Sequence, residues 1–198
     1  MSLLSVFLFG VSSNIDNLVI GISYGVKKIR IPLISNILIA FITFCGTVLL
    51  MSVGKRLAVL IPTEFANAIG SSILILIGLY GIIKFIRNLK IIKKNNEPNW
   101  PTENPEKYDE NNNKQIEMRE AITLGILLSI NNMGLGIGAS ISGLNIIPTA
   151  IGAFIFSMCS MLLGNALGNS YLSTLFGKYG ELVSGLIIIA MGILELIF

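Results

Sequence analysis

Histidine is absent from the 198-residue sequence, and its absence limits the metal chemistry open to the chain. Imidazole is the commonest nitrogen ligand for zinc, nickel and copper, so any metal site here must use oxygen ligands, with sulfur as the softer alternative. The sequence also lacks a nucleophile next to a base, a glycine-rich phosphate loop after a strand and a zinc-protease signature. We therefore expect neither an enzyme nor a prosthetic group.

Charge is scarce as well. Charged residues make up 13% of the chain, against about a quarter in soluble domains. Hydrophobic residues make up 53%, and the mean hydropathy is +0.78. Six apolar runs are each about long enough to cross a hydrocarbon core of ~30 Å; they span residues 3–26, 33–54, 66–86, 121–143, 147–167 and 179–198. The prediction is an all-α, polytopic protein of the cell membrane, with six transmembrane helices in contact with the lipid bilayer.

The first apolar run and the two cysteines are interpreted as parts of the membrane domain. The first run has no basic segment before it and is too long for the apolar part of a signal peptide, so we expect it to stay in the mature chain. Cys45 and Cys159 lie inside apolar runs, where no pairing can be assigned, and are predicted to be free thiols.

Basic residues are distributed unevenly between the two sides of the predicted bundle. With six spans, the segments after the first, third and fifth runs share a side and hold 12 of the 14 lysines and arginines, leaving Lys55 and Arg56 on the other side. The positive-inside rule then places the segment between the third and fourth runs in the cytoplasm and both termini outside the cytoplasm. A basic surface for nucleic acid is not expected, because almost no soluble portion is left to form one.

The two halves of the chain repeat each other. Residues 14–22 (NIDNLVIGI) match 129–137 (SINNMGLGI) at an offset of 115, and 71–78 match 185–192 at an offset of 114. Three spans in each half is an odd number, so the second half must enter the membrane from the opposite side. Such inverted repeats are typical of secondary transporters with a substrate site at the midplane. An old duplication kept only for packing is the alternative.

A segment of different composition joins the halves. Residues 88–118 are rich in Asn, contain three prolines and mix Lys with Glu, so they cannot bury enough apolar surface to offset their ordering entropy. The predicted organisation is a first three-helix repeat over residues 1–87, a flexible cytoplasmic tether over 88–118 and a second three-helix repeat over 119–198.

Polar side chains occur at corresponding depths in the first and fourth runs. Asp16 and Asn17 lie near the middle of the first run, and Asn131 and Asn132 lie near the middle of the fourth. An ionised carboxylate at this depth costs at least ~2.5–3.5 kcal/mol, so Asp16 is predicted to be functional, with a protonated structural role as the alternative. The two asparagines of the fourth run either bridge helices or belong to the same site.

Residues on other runs extend this candidate site. Carboxylate, amide and hydroxyl oxygens suit hard cations such as Mn²⁺, Mg²⁺ or Ca²⁺. The candidates for further oxygen ligands are Thr43, Ser157 and Asn165, and those for a softer contact are Met133, Met158 and Cys159, for which packing is the ordinary alternative.

Small residues beside the polar positions favour close helix contacts. Gly21 and Gly25 in the first run, and Gly134 and Gly138 in the fourth, have the small-xxx-small spacing that lets a second helix approach. We expect the polar faces of the first and fourth runs to lie against each other.

The same motifs resemble a known family. Residues 13–18 (SNIDNL) and 128–133 (LSINNM), in a six-helix chain of this length with a polar middle loop, are similar to the MntP family of manganese exporters, and most of all to its YtaF branch of sporulation membrane proteins. The resemblance covers the whole chain. It implies that Asp16 takes the place of the family's first motif aspartate, whereas Asn131 stands where the second would be and Thr43 about where an acid of the second helix would fall.

The residues and the resemblance together predict a small secondary transporter that exports a divalent cation, Mn²⁺ by the resemblance. Its midplane site is predicted to comprise Asp16, Asn17, Asn131, Asn132, Thr43 and Ser157, with release of the ion when Asp16 is protonated. One carboxylate against a dication leaves a net positive centre in a low dielectric, which is costly. The alternatives are therefore a non-transporting sporulation-associated membrane protein and an exporter of a small organic solute. The sequence leaves a homo-oligomer open.

Overall fold

The computed structural model describes residues 3–60, 63–95, 113–168 and 172–197, and the regular elements within these ranges are eight helices. They are α1 (Leu3–Ser12), α2 (Ile15–Val26), α3 (Leu33–Val59), α4 (Thr63–Asn95), α5 (Met118–Asn131), α6 (Met133–Ile141), α7 (Ile146–Leu167) and α8 (Leu172–Ile197). Extended pairing in the described residues is limited to an isolated bridge between Arg30 and Gln115. The predicted all-α class is confirmed.

Several of these segments are long and apolar enough to cross a membrane. Among the described residues, four such spans are single segments: Leu3–Val26, Leu33–Val59, Ala68–Arg87 and Ile146–Leu167. A fifth is added if the bent pair α5 and α6 forms one span. The apolar part of α8, Leu182–Leu194, is shorter than these spans. The chain is thus a multi-pass membrane protein, and its sixth span stays a prediction.

The outer surface of the helices is apolar and the interior is partly polar. Along α3, the exposed side chains include Leu33, Phe41, Leu49 and Val53, whereas its buried positions include Ser35, Asn36, Thr43 and Thr47. Soluble monomers rarely expose apolar patches of this extent, so this surface suits contact with lipid. The polar groups available for function therefore lie inside the bundle.

Two of the predicted helices are each broken into two. The first apolar run forms α1 and α2, separated at Ser13 and Asn14, and the fourth forms α5 and α6, separated at Asn132 with a bend of 47°. The sequence predicts one continuous helix for each run. Both breaks coincide with the polar motifs, where asparagine side chains can bond to the backbone in place of the helical pattern.

The two broken helices end in the same kind of turn. After α2, Lys28 adopts a positive φ of 58° and the N–H of Ile29 donates to Tyr24 O at 2.9 Å. After α6, Gly143 has a φ of 100° and the N–H of Leu144 donates to Ala139 O, also at 2.9 Å. Helices commonly end in this manner, with one residue in the left-handed region and the next N–H donating to the carbonyl five residues earlier.

Glycine allows the closest helix contacts. A Cβ on Gly21 of α2 would lie 2.6 Å from Met161 O of α7, and one on Gly78 of α4 would lie 2.6 Å from Gly185 O of α8. The close approach predicted at Gly21 is confirmed, and its partner is α7. Gly138 of α6 contacts α4, where Ile73 Cγ2 would lie 3.0 Å from an added Cβ.

The two ends of the predicted tether belong to the regular fold. Helix α4 continues to Asn95, eight residues into the range 88–118 that the sequence assigns to the tether. At the other end, Arg30 N–H donates to Lys114 O at 2.9 Å, and Ile116 N–H donates to Arg30 O at 3.0 Å. The predicted tether is thus helical at its start and paired with the turn after α2 near its end, and residues 96–112 lie outside the described residues.

Candidate functional site

The break between α1 and α2 frees backbone carbonyls that a continuous helix would pair. Ser12 O accepts a hydrogen bond from Ser184 Oγ of α8 at 3.2 Å, and Ser13 O accepts one from Asn132 Nδ2 at 2.7 Å. Irregular backbone at membrane depth is tolerated where it is buried in protein and other groups replace the lost helical bonds. Side chains from distant parts of the chain therefore hold this break.

Asn14 is the centre of the polar network at the break. It is the N-cap residue of α2 and is completely buried. Its Nδ2 donates to Gly10 O at 2.8 Å, to Ser13 Oγ at 3.1 Å and to Ala153 O of α7 at 3.3 Å. Because carbonyl oxygens only accept, these contacts fix the direction of the Asn14 amide, with its nitrogen toward Gly10 and Ala153 and its Oδ1 away from them.

Asn17 occupies the next turn and is also completely buried. Its Nδ2 donates to Asn14 Oδ1 and to Ser157 Oγ, both at 2.8 Å. Both amide protons are thereby used, and no described group donates to Asn17 Oδ1. A buried polar atom left without a partner costs about 1–3 kcal/mol, so this oxygen calls for a donor or a cation.

Asp16 lies beside this network in the first turn of α2. Its side chain is half-buried. The N-terminal end of a helix carries a partial positive charge, which stabilises an ionised carboxylate by about 0.3–1 kcal/mol and more in partly buried settings. The break therefore places the Asp16 carboxylate at a helix N-terminus, which a continuous helix would not do.

The second break joins α5 and α6 at Asn132, whose backbone φ of −89° and ψ of 7° are not helical. The bond from Asn132 Nδ2 to Ser13 O links this break to the first one. The polar faces of the first and fourth runs, predicted to lie against each other, meet at this bond, whereas α1 and α2 pack mainly on α7 and α8, and α5 and α6 pack mainly on α3 and α4. Asn131 is the last residue of α5, and its side chain lies outside the described residues.

The remaining predicted ligands are divided between two helices. Ser157 of α7 is completely buried and contacts Asn17, so the structure brings these two together. Thr43 of α3 is buried, but its Oγ1 donates at 3.0 Å to Ile39 O in its own helix. Asn165 Nδ2 donates at 2.9 Å to Ile29 O in the turn after α2, which assigns it to that turn rather than to the breaks.

Sulfur and acidic clusters do not form a second site in the described residues. Cys45 is half-buried and Cys159 exposed, and both are free, as predicted. Met133 is 44% exposed. Within the described ranges, no three residues of the His, Cys, Asp and Glu types come together as a metal cluster. A cation at the breaks would therefore be held by one carboxylate and neutral oxygens.

Two apolar clusters lie on either side of the breaks. One contains Phe9 of α1 and Leu135 of α6, together with Met51, Leu74 and Ala153. The other contains residues of α2 and α5 with parts of α3 and α7: Tyr24, Ile29, Ile31, Ile39, Ile116, Ala121, Leu124, Leu128 and Met161. Because the two halves of each broken helix contribute to different clusters, the breaks lie where the two apolar clusters meet.

Asn14 and Ser184 are the site residues that the sequence did not single out. Asn14 belongs to the repeated motif, but its position at the break becomes apparent only when the helix is seen to end at Ser12. Ser184 is the one serine of the apolar run 179–198, and a single serine in such a run does not indicate a functional residue.

Comparison with known proteins identifies the family. The family model described as "Putative manganese efflux pump" matches residues 1–82 and 99–196. The chain belongs to this MntP family. It is 25% identical over 210 aligned residues to the "Probable sporulation protein YtaF" of Bacillus subtilis strain 168, covering 99% of this chain and all of that protein.

A second relative aligns over a shorter range. The "Putative manganese efflux pump MntP" of Photorhabdus laumondii subsp. laumondii is 38% identical over 71 residues, which is 36% of each chain. No solved structure matches the chain at a significant level. The resemblance to the MntP family inferred from the two short motifs is thus confirmed over most of the sequence.

Proposed function

We propose that this protein exports a divalent cation, Mn²⁺ by its family, from a midplane site between two inverted three-helix repeats. The observation that carries the proposal is the coincidence of both helix breaks with the polar motifs, inside a chain of the MntP family. Discontinuous helices at the repeat interface are where secondary transporters bind their ions. The proposed site comprises Asp16, Asn17, Asn131, Asn132, Thr43 and Ser157.

Contacts related by the sequence offset support the inverted repeat. Gly10 of α1 approaches Phe156 of α7. The position 115 residues after Gly10 is Gly125, and the position 114 residues before Phe156 is Ile42. These two residues also approach each other, since a Cβ added to Gly125 would lie 3.0 Å from Ile42 Cβ. A chance match at one place would not be repeated elsewhere along the helices.

The pair α4 and α8 follows the same rule. Gly78 contacts Gly185, and the related positions, Gly192 and Ser71, are in contact too, with 3.0 Å from an added Cβ to Ser71 O. The equivalent turns after α2 and α6 also obey the offset of 115. A two-fold relation between the first and second repeats accounts for all three sets of contacts.

The distribution of basic residues supports the orientation. With three spans per repeat, the tether within residues 88–118 is cytoplasmic and both termini are outside, because 12 of 14 basic side chains then lie inside. Lys27, Lys28 and Arg30, in the turn that pairs with Lys114, are exposed on that side.

The arrangement supports a transport cycle in which Asp16 alternates between ion and proton. The apolar clusters on either side of the breaks act as the two barriers, and rocking of one repeat against the other opens one barrier at a time. The carboxylate of Asp16 supplies the negative charge that attracts the cation. Protonation removes that charge and releases the ion.

The test is Mn²⁺ binding and export by the purified wild-type protein. A ligand that binds only the folded state raises stability by about 2.7 kcal/mol at a concentration of 100 times its Kd. We expect Mn²⁺ to raise the midpoint of thermal unfolding in detergent, and proteoliposomes to show Mn²⁺ flux. Absence of both, with correctly folded protein, would contradict the proposal.

One observation favours a second candidate. Over almost its whole length the chain aligns with a protein described as a sporulation protein, and its interior polar network is mostly amide and hydroxyl. The second candidate is export of a small organic solute, because an amide-lined site suits such a solute. A non-transporting role in sporulation would need no ligand at this site. Thermal stabilisation by amino acids or polyols, with no response to Mn²⁺, Mg²⁺ or Ca²⁺, would favour solute export.

A further inference from the structure

The Asn17 amide has a defined orientation, because Asn14 fixes it. Gly10 O and Ala153 O accept from Asn14 Nδ2, so Asn14 Oδ1 faces Asn17 and accepts from its Nδ2 at 2.8 Å. A reversed Asn17 amide would bring two carbonyl-type oxygens together, which is unfavourable. Asn17 Oδ1 must therefore point away from Asn14 and Ser157.

This outward oxygen is a buried acceptor on the residue that follows the candidate ion ligand Asp16. Asn17 follows Asp16 directly in the first turn of α2, its side chain is completely buried, and none of the described groups donates to its Oδ1. Orphaned buried acceptors are uncommon in folded proteins, and of the two amide oxygens in this state among the described residues, those of Asn17 and Asn36, that of Asn17 belongs to the turn that carries Asp16. A bound cation would satisfy the oxygen and would gain a neutral ligand without a second negative charge.

We propose that Asn14 is a positioning residue that holds the amide of Asn17, a member of the proposed site, with its Oδ1 in the orientation of a neutral cation ligand. The inference rests on the proposed function and specifies how a site with a single carboxylate binds its ion. Outer partners that orient a metal ligand typically change metal affinity by 10–100-fold when they are removed. Asn14 acts in this way through Asn17 alone.

A double-mutant cycle on Mn²⁺ affinity tests the proposal. The full-length protein is titrated with Mn²⁺, and the apparent Kd is obtained from the shift of the thermal midpoint for the wild type, Asn17→Ala, Asn14→Ala and the double variant. We expect each single variant to raise Kd by about tenfold or more. We expect the double variant to match Asn17→Ala within about twofold, because removing Asn14 has no further effect once its partner is gone.

The control is Asn165→Ala, which removes the hydrogen bond from the Asn165 amide to Ile29 O, in the turn after α2 and away from the breaks. It should lower the midpoint without metal and leave the Mn²⁺ Kd unchanged. If Asn14→Ala fails to fold, Asn14→Ser replaces it, since Ser129 shows that a serine can donate to the carbonyl four residues earlier, Gly125 O, at 2.9 Å. The shorter serine is not expected to hold Asn17, so Kd should still rise.

The outcomes separate this inference from the function on which it rests. A wild-type protein with no Mn²⁺ response would overturn both. A wild-type response that Asn17→Ala leaves unchanged would overturn the inference alone. Additive effects of the two substitutions on Kd would show that Asn14 acts on the site by another route, and the positioning role would then be wrong.

Discussion

The contact between α2 and α7, where Gly21 and Gly164 approach each other, gives the most direct test of the packing. The test is the substitution Gly164→Ala. A Cβ on Gly164 would contact Leu18 O and would lie 2.8 Å from Ile22 N and 3.0 Å from Gly21 Cα. All three atoms belong to backbone, so no flexible side chain can move to make room. The two helices would have to separate.

The magnitude follows from two opposing effects. Replacing Gly by Ala inside a helix gains about 0.5–1 kcal/mol in backbone entropy. Overpacking costs about 1–3 kcal/mol, and the upper part of that range applies where the obstacle is backbone. The net effect is a loss of about 2 kcal/mol, which for a chain of this size corresponds to a thermal midpoint lower by roughly 4–8 °C.

Gly152→Ala on the same helix is the matched control. An added Cβ there would lie 3.4 Å from Val6 Cγ1, an ordinary van der Waals contact, so the entropy gain should dominate and the midpoint should rise by about 1–4 °C. Both variants are measured by thermal unfolding in detergent at one scan rate, because such unfolding is often irreversible. Equal shifts in the two variants would refute the assignment of α7 as the partner of α2.

Three further predictions concern the site and the orientation. Asp16→Asn should abolish both the stabilisation by Mn²⁺ and any Mn²⁺ flux in proteoliposomes. The protein should stay monodisperse in gel filtration, since the substitution removes the charge and keeps the shape of the side chain. Mn²⁺ binding equal to that of the wild type would reassign Asp16 as structural. Asn131→Asp should lower the Kd for Mn²⁺, because two carboxylates neutralise a divalent ion where one cannot; weaker binding would contradict the predicted position of Asn131 in the site. Cysteines engineered between residues 96 and 112, with Cys45 and Cys159 replaced, should react with an impermeant thiol reagent only after the cells are opened, and labelling of intact cells would contradict a cytoplasmic tether.

Much of the fold could be predicted because membrane insertion leaves a strong signal. Length and apolarity locate the helices, and the spacing of Gly21 and Gly25 indicates a close helix contact. These features depend on local composition and spacing. The relation of Asp16 to Asn131 stays a prediction. The partner of the Gly21 face is a tertiary property, and the structure places α7 there rather than the fourth run.

The helix breaks could not be predicted, because the apolar pattern continues through them. Residues on both sides of Asn14 and of Asn132 are good membrane-helix formers, and an asparagine within such a run is compatible with an unbroken helix. What stabilises the break is a set of partners distant in sequence: Ala153, Ser157 and Ser184. Their proximity follows from the packing of α7 and α8 and not from the motif itself.

At the breaks, an ion in the proposed site would share its backbone ligands with existing hydrogen bonds. Unwound carbonyls at broken helices often coordinate ions in transporters. Here the freed carbonyls of Ser12 and Ser13 already accept bonds from Ser184 and Asn132. Asp16 is then the proposed source of negative charge, and Asn17 Oδ1 is an acceptor at this break to which no described group donates. Since the bond from Asn132 to Ser13 O joins the two breaks, a cation that displaced this bond would loosen their contact, which would couple ion binding to the relative position of the two broken helices.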